Sequence, residues 1–340
     1  MTNNITFRLL AFISFSACTP LLAQDIHFTQ FKATPLTLNP AFTGMFNGAA
    51  RVSALYRTNW KTEQTVYSTV DASFDMPVMI LKNGSYFAAG GQISHAEGGY
   101  GYFNNVAYIG SAAYHQLFGR DSSGHHCSDL AFGIQGGYAQ QWSNLTNDYF
   151  DNQPSPQMGI EPFINPYIKY YMVNAGISFS GTISQHLNYT LGLSANNLNR
   201  PVGPTTDVTY DQANTNLRYT GEAGVNWIVT NGFSIHPAII YMEQSTFDNV
   251  IAGSEFQYKL TKHPNAIGNI LSIFLGGWYR TGNTHMITAG TEAGRLRVGI
   301  SVDFRSQDPD HERCLEVMVR YVAPGSKKSS HRKAIPCNRF

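Results

Sequence analysis

Val66-Tyr67-Ser68-Thr69-Val70-Asp71-Ala72-Ser73-Phe74-Asp75-Met76 alternates with a period of two. Its even positions are apolar or small, and Tyr67, Thr69, Asp71, Ser73 and Asp75 are polar or interfacial. Successive strand side chains point to opposite faces, so one face is greasy and the other carries carboxylates. The same pattern returns near the C-terminus, with Leu296, Val298, Ile300, Val302 and Phe304 set against Arg295, Arg297, Ser301, Asp303 and Arg305. A soluble sandwich would turn its apolar face onto a closed core. A transmembrane barrel turns that face to lipid and its polar face to a lumen.

What precedes these strands is an export signal, which leaves a periplasmic, secreted or outer-membrane chain for composition to separate. Arg8 precedes Leu9-Leu10-Ala11-Phe12-Ile13-Ser14-Phe15, and Pro20-Leu21-Leu22-Ala23 leads to Gln24. A positive charge, a short apolar run and a small residue before a polar start describe a signal peptide over residues 1–23, cleaved after Ala23. The run falls short of the roughly 20 apolar residues of a membrane-spanning helix. The rival is a lipoprotein signal at Cys18, weakened by Phe15 in its loose lipobox. Charged residues make up 13% of the chain, about half the roughly 25% of soluble domains, while aromatics reach 13%. Low charge with abundant aromatics suits strands that face lipid between aromatic girdles. A net charge of +1 gives no reason to expect nucleic acid as a partner.

Turns and alternation together predict an all-β fold, a transmembrane antiparallel barrel of about fourteen strands over residues 49–322. The strands are expected near 49–57, 66–76, 85–95, 104–118, 129–142, 167–180, 187–198, 217–230, 232–243, 249–261, 269–280, 284–292, 294–305 and 313–322. An even strand number puts both termini on the periplasmic side, with the long connections 143–166 and 199–216 at the outer end. Residues 24–48 and the basic tail 323–340, carrying Lys327, Lys328, Arg332 and Lys333, are expected as periplasmic pieces outside the barrel.

Charges predicted to face the lumen gather on the first and last strands: Arg51, Arg57, Asp71, Asp75, Arg297, Asp303, Arg305, Glu316 and Arg320. Closure makes those strands neighbours. The group reads either as a mutually satisfied ion network filling the interior, or as a charged passage. In the N-terminal segment, Asn39-Pro40 initiates a turn and Thr43-Gly44 permits a reversal before the first strand. Phe28, Phe31, Leu36 and Leu38 then read as a plug or latch at the barrel mouth. A sharper reading makes Phe28, Phe31, Leu36, Asn39, Pro40 and Gly44 a recognition segment for a secreted domain.

Enzyme signatures are absent: there is no Gly-x-Ser-x-Gly, His-Glu-x-x-His or P-loop, and no cofactor motif. His125-His126-Cys127 lacks a fourth metal ligand, so no metal is expected. Removal of Cys18 leaves Cys127, Cys314 and Cys337. Cys127 and Cys337 fall at the periplasmic end and Cys314 at the other, which predicts a Cys127–Cys337 disulfide. The alternative is three unpaired thiols.

Several motifs carry a resemblance. Gln24-Asp25-Ile26-His27-Phe28-Thr29-Gln30-Phe31 and Pro35-Leu36-Thr37-Leu38-Asn39-Pro40-Ala41-Phe42-Thr43-Gly44 resemble the opening of the PorP/SprF family of the type IX secretion system. Tyr56-Arg57-Thr58-Asn59-Trp60, Gly192-Leu193-Ser194-Ala195-Asn196-Asn197-Leu198, Gly276-Gly277-Trp278-Tyr279-Arg280 and Pro336-Cys337-Asn338-Arg339-Phe340 are similar to its later elements. Ile26 and Asn338 depart from it, each standing where the family has proline. The resemblance implies an outer-membrane barrel without catalysis. Its implied partners are a sorting-domain surface adhesin, whose export or anchoring it supports, and other type IX secretion components. A passive or substrate-specific channel, like a fatty-acid transporter, is the alternative. Its cue would be an apolar N-terminal plug entering the lumen.

Overall fold

Fourteen antiparallel strands close into a barrel in the computed structural model, which describes residues 28–60, 67–98, 103–120, 126–142, 167–201, 215–245, 247–260, 271–305 and 313–325. The expected signal peptide with Cys18 and Ala23, the loop 143–166, His125 and the tail with Cys337 lie outside these residues. The strands are β1 (Ala50–Trp60), β2 (Tyr67–Ile80), β3 (Tyr86–Gly98), β4 (Phe103–Arg120), β5 (His126–Trp142), β6 (Tyr167–Ser184) and β7 (Leu187–Asn196). They continue as β8 (Arg218–Thr230), β9 (Phe233–Gln244), β10 (Phe247–Lys259), β11 (Leu271–Arg280), β12 (Thr284–Ala293), β13 (Leu296–Arg305) and β14 (Arg313–Ala323). Each pairs with its sequence neighbours, and β1 pairs with β14 from Ala50↔Ala323 to Trp60↔Arg313. Closure leaves no unpaired edge, which is what a hydrocarbon surround demands.

Polar residues face in and apolar residues face out. In β2, Asp71, Ser73 and Asp75 are buried while Val70, Ala72, Phe74 and Met76 are exposed. β11 and β13 keep the same strict alternation. Tyr67, Phe103, Tyr167, Tyr219 and Tyr279 stand exposed near the strand ends opposite the termini. Phe87, Phe118, Trp227, Tyr258 and Tyr321 stand exposed near the end that carries β1's start and β14's finish. Two aromatic rims bounding an apolar band are the signature of a membrane-spanning barrel. Register shifts at Pro77/Met79, Thr182/Ser184 and Ile228/Thr230 all fall beside turns of the terminal end, where bulges bend strands into tight reversals. The short Thr281-Gly282-Asn283 turn lies at the same end as the connection 143–166, as the alternation of strands requires.

One expectation is corrected. Residues 28–46 do not lie outside the barrel; they fill its lumen. A four-residue helix α1 (Pro35–Leu38) and a 3-10 turn over Pro40–Phe42 form the centre of this plug. The physical reason is burial: Phe28, Phe31, Leu36, Phe42, Met45 and Phe46 are each at most 3% exposed, and a lumen wall offers them cover that periplasmic water cannot.

Candidate functional site

The plug touches every strand of the wall, and much of that contact is made to its main chain. At its start, the amides of Thr29 and Gln30 donate to the Glu316 carboxylate of β14 at 2.8 and 2.9 Å. The Thr29 hydroxyl donates to Asp303 of β13 at 2.7 Å. Carbonyls are read in turn: Arg320 donates to Lys32, Gln135 to Leu36, Arg218 to Thr37, Ser194 to Leu38 and Arg51 to Phe42. His115 of β4 donates Nε2 to the Thr43 carbonyl at 2.8 Å, faces Asp129 through Nδ1 at 3.0 Å, and stacks on Tyr86. The Thr43 hydroxyl meets that of Ser111. At the far end, the Gly44 amide donates to Asp75 at 2.6 Å.

Asn39 is the centre of the plug. Its Oδ1 accepts from the Ala41 amide at 2.9 Å, which caps the 3-10 turn. Its Nδ2 lies 2.6 Å from Glu222 Oε1 and 3.2 Å from the carbonyls of Ile177 and Leu193. Three acceptors thus share two hydrogens. The wall gives way to this turn through glycine: a Cβ on Gly133 would overlap the Pro40 carbonyl, and one on Gly176 would overlap Asn39 Oδ1. Gly44 adopts φ +76°, open to glycine at no steric cost, and a Cβ there would collide with Ala88.

Apolar pockets anchor the other side. Phe31 packs on Ile240, Met242, Ile251, Trp278 and Met286, with the Trp278 ring edge-on at 5.0 Å. Phe28 packs on Leu55, Phe274 and Met318. Lys32 reaches Glu255 at 3.7 Å and the face of Trp278 at 5.7 Å. Burial lowers its pKa to about 8, Glu255 draws it back up, and Arg297 and Arg320 press it down. Six large apolar side chains buried on docking contribute on the order of 10 kcal/mol as an upper estimate.

The predicted charge group separates into several parts. Arg57 of β1 bonds Glu316 at 2.8 Å and stands 3.6 Å from Asp303, so closure does join the first and last strands. Arg51 and Asp75 pair at 2.7 Å beneath the plug. Arg297 instead pairs with Glu255 at 2.7 Å and Glu292 at 3.3 Å. Arg320 serves the plug carbonyl of Lys32, and Asp71 accepts from Gln92 at 2.6 Å. Arg305 departs furthest from expectation: it donates to the Gly282 carbonyl at an exposed turn, because the last residue of β13 has already left the lumen. Asp303, Cys314 and Glu316 hold their ligand atoms within 4.8 Å of one another. Arg57 and Arg280, the latter 3.7 Å from Asp303, already supply the positive charge there. That arrangement suits an ion-pair hub and repels a metal cation.

All six residues of the expected recognition motif face the wall or the plug's own interior. Glu222, Glu255, His115, Gln135, Arg218 and Trp278 complete the site and were not singled out from sequence. Their one signal was polarity, or in Trp278 its contradiction, on the inward-facing parity of their strands. Cys127 lies beside the turn of the terminal end, Cys314 is buried at the other, and Cys337 lies outside the described residues.

A plugged outer-membrane-type barrel with this N-terminal motif has a match among known families. The profile described as "Type IX secretion system membrane protein PorP/SprF" covers residues 21–321. The chain belongs to the PorP/SprF family. It is therefore an outer-membrane component of type IX secretion, a secretion family rather than an enzyme family. No curated protein matches it in sequence. Among solved structures it is similar to the toluene transporter TbuX of Ralstonia pickettii, with TM-score 0.52 and 10% identity over 86% of this chain and 94% of that one. CdiB from Acinetobacter baumannii aligns with TM-score 0.45 and 6% identity over 80% of this chain; the chain spans 60% of CdiB's length. At such identities the likeness is one of fold alone.

Proposed function

We propose that this barrel is a non-catalytic holder that supports export or surface anchoring of a sorting-domain adhesin, serving gliding or attachment. The family match over nearly the whole barrel carries the reading. A lumen occupied by the chain's own segment, bonded to Glu316 at one side and Asp75 at the other, is compatible with it, because a holder needs no open bore. A partner reads either the outer loops or the terminal end. It meets Phe28, Phe31 and Asn39 only in a plug that has left its seat. Deleting the gene is expected to strip one adhesin from the cell surface while other exported proteins remain. Unchanged surface levels of every sorting-domain protein would refute the reading.

A passive or substrate-specific channel is the second reading, and the plug inside the lumen is the observation that favours it. Conductance separates the two. A holder gives no steady single-channel current in a planar bilayer, whereas a channel conducts or takes up its solute when the plug is deleted and when it is present.

A further inference from the structure

The plug's bonds fall where the barrel has to close. Its first turn is held by β13 and β14, through Asp303, Glu316 and Arg320. Its last turn is held by β1 and β2, through Arg51 and Asp75. Between them, Asn39 and Pro40 rest on β5 to β8. A segment only nineteen residues long, 28–46, thus reaches both sides of the β1–β14 seam and the wall opposite it. Thr29 meets Glu316 across a sequence separation of 287, and the seam pair Arg57–Glu316 spans 259. Contacts this distant carry the largest loop-closure entropy, and a segment that binds both partners raises their effective concentration.

We propose that residues 28–46 act as an internal template for barrel closure, seating on the open sheet and bringing β14 to β1 before the seam zips. The shape of the site favours this order. The plug crosses the lumen with Phe28, Phe31, Phe42 and Phe46 projecting from it, each at most 3% exposed. Arg51, Arg297 and Arg320 stand around it, bonded to plug carbonyls or to wall carboxylates. Entry after closure drags four aromatic rings past these guanidinium groups, whereas an open sheet receives the same segment from the side. The hub at Glu316 closes the logic. It accepts from Thr29 N, Gln30 N, Arg57 and Ser301, so the plug and the β1–β14 seam complete one carboxylate's hydrogen bonds together.

Two engineered disulfides time the events in the full mature chain, with Cys127, Cys314 and Cys337 replaced by alanine. Thr43→Cys with Ser111→Cys reports plug docking, because the two hydroxyls are already in contact. Ala54→Cys with Val319→Cys reports the seam, where these residues are direct partners on the lipid face. The chain is refolded from denaturant into detergent micelles, pulsed with oxidant at intervals and mapped by mass spectrometry. The plug disulfide is expected first and the seam disulfide later. Asn39→Asp, remote from the seam, is expected to slow seam closure at least about tenfold, equivalent to about 1.4 kcal/mol on the barrier. Synthetic peptide 28–46 added to a chain lacking that segment is expected to restore the rate. A seam disulfide that forms first, or at an unchanged rate without the plug, overturns the proposal.

Discussion

Replacing Asn39 tests the seat of the plug most directly, because two substitutions there differ in severity against the order that shape alone would suggest. Asn39→Ala removes the donor to Glu222 and to the carbonyls of Ile177 and Leu193, and the acceptor for the Ala41 amide. Glu222 Oε1 then stands buried without its donor, and its Oε2 already has no partner among the described residues. Losing a hydrogen bond to a charged group and stranding that group costs about 2–4 kcal/mol. Asn39→Asp keeps the shape but turns Nδ2 into an acceptor facing three acceptors. It is therefore expected to be worse than alanine, although it is the closer mimic. Hydrogen exchange reads the outcome at the amides of Thr29, Gln30 and Gly44, which donate to Glu316 and Asp75. At a factor of ten per 1.36 kcal/mol, alanine speeds their exchange about 30- to 1000-fold, and aspartate speeds it further. Equal and native-like exchange in both variants, or aspartate milder than alanine, refutes the docked geometry.

Phe31→Ala empties the pocket formed by Ile240, Met242, Ile251, Trp278 and Met286 and is expected to weaken plug docking by about 3–5 kcal/mol, read as loss of the Thr43→Cys/Ser111→Cys cross-link yield. Lys32 gives a pH dependence. Its docked pKa is about 8 against 10.5 in water, so the penalty for burying the ammonium is fully present below pH 8 and is relieved as pH rises toward 10.5. Protection factors of the plug are thus expected to rise above pH 8, by up to about tenfold per unit, and Lys32→Met is expected to flatten that slope. Orientation is tested with maleimide on intact cells: Asn283→Cys is expected to label and Asn231→Cys to stay silent, and the reverse pattern inverts the barrel. Non-reducing peptide mapping is expected to find Cys127 joined to Cys337, and free thiols at both positions end that pairing.

The barrel was legible because its alternation is unbroken where it matters. Asp71, Ser73 and Asp75 against Val70, Phe74 and Met76 describe a face that water must fill and a face that lipid must cover, and the structure keeps both. All fourteen expected strand ranges overlap the observed ones, their ends differing by a few residues where strands run into turns. The plug was less legible. Residues 24–48 have neither period two nor period 3.6, so no pattern says against which surface Phe28 and Phe31 are buried. The charge group is only partly legible for a related reason. Parity places Arg297 and Arg320 in the lumen correctly, but it carries no information about depth or azimuth. Seam proximity was therefore assumed where Glu255, from β10, in fact supplies the partner.

The missing signal lay in the wall. A water-filled lumen has no use for Trp278, Phe274, Met286 or Met318, yet each occupies an inward parity on a strand whose remaining inward residues are small or polar. In β11 the inward series runs Ser272, Phe274, Gly276 and Trp278. Two large aromatic side chains among small ones describe a pocket with space between its walls, and such a pocket has to be filled by something apolar that the strands do not supply. Leu55 on β1 and Ile240 and Met242 on β9 extend the same surface around the lumen. In a chain whose remaining described segments are strands and turns, the N-terminal run that begins Phe28-Thr29-Gln30-Phe31 is the apolar stretch left to meet it. The division of labour within the plug follows. Wall side chains hold its main chain at Lys32, Thr37, Phe42 and Thr43. Asn39, Pro40 and Gly44 stand where an amide, a fixed φ or a missing Cβ is required. The motif most specific in the sequence is thus the part of the plug that the lumen reads by side chain and backbone angle.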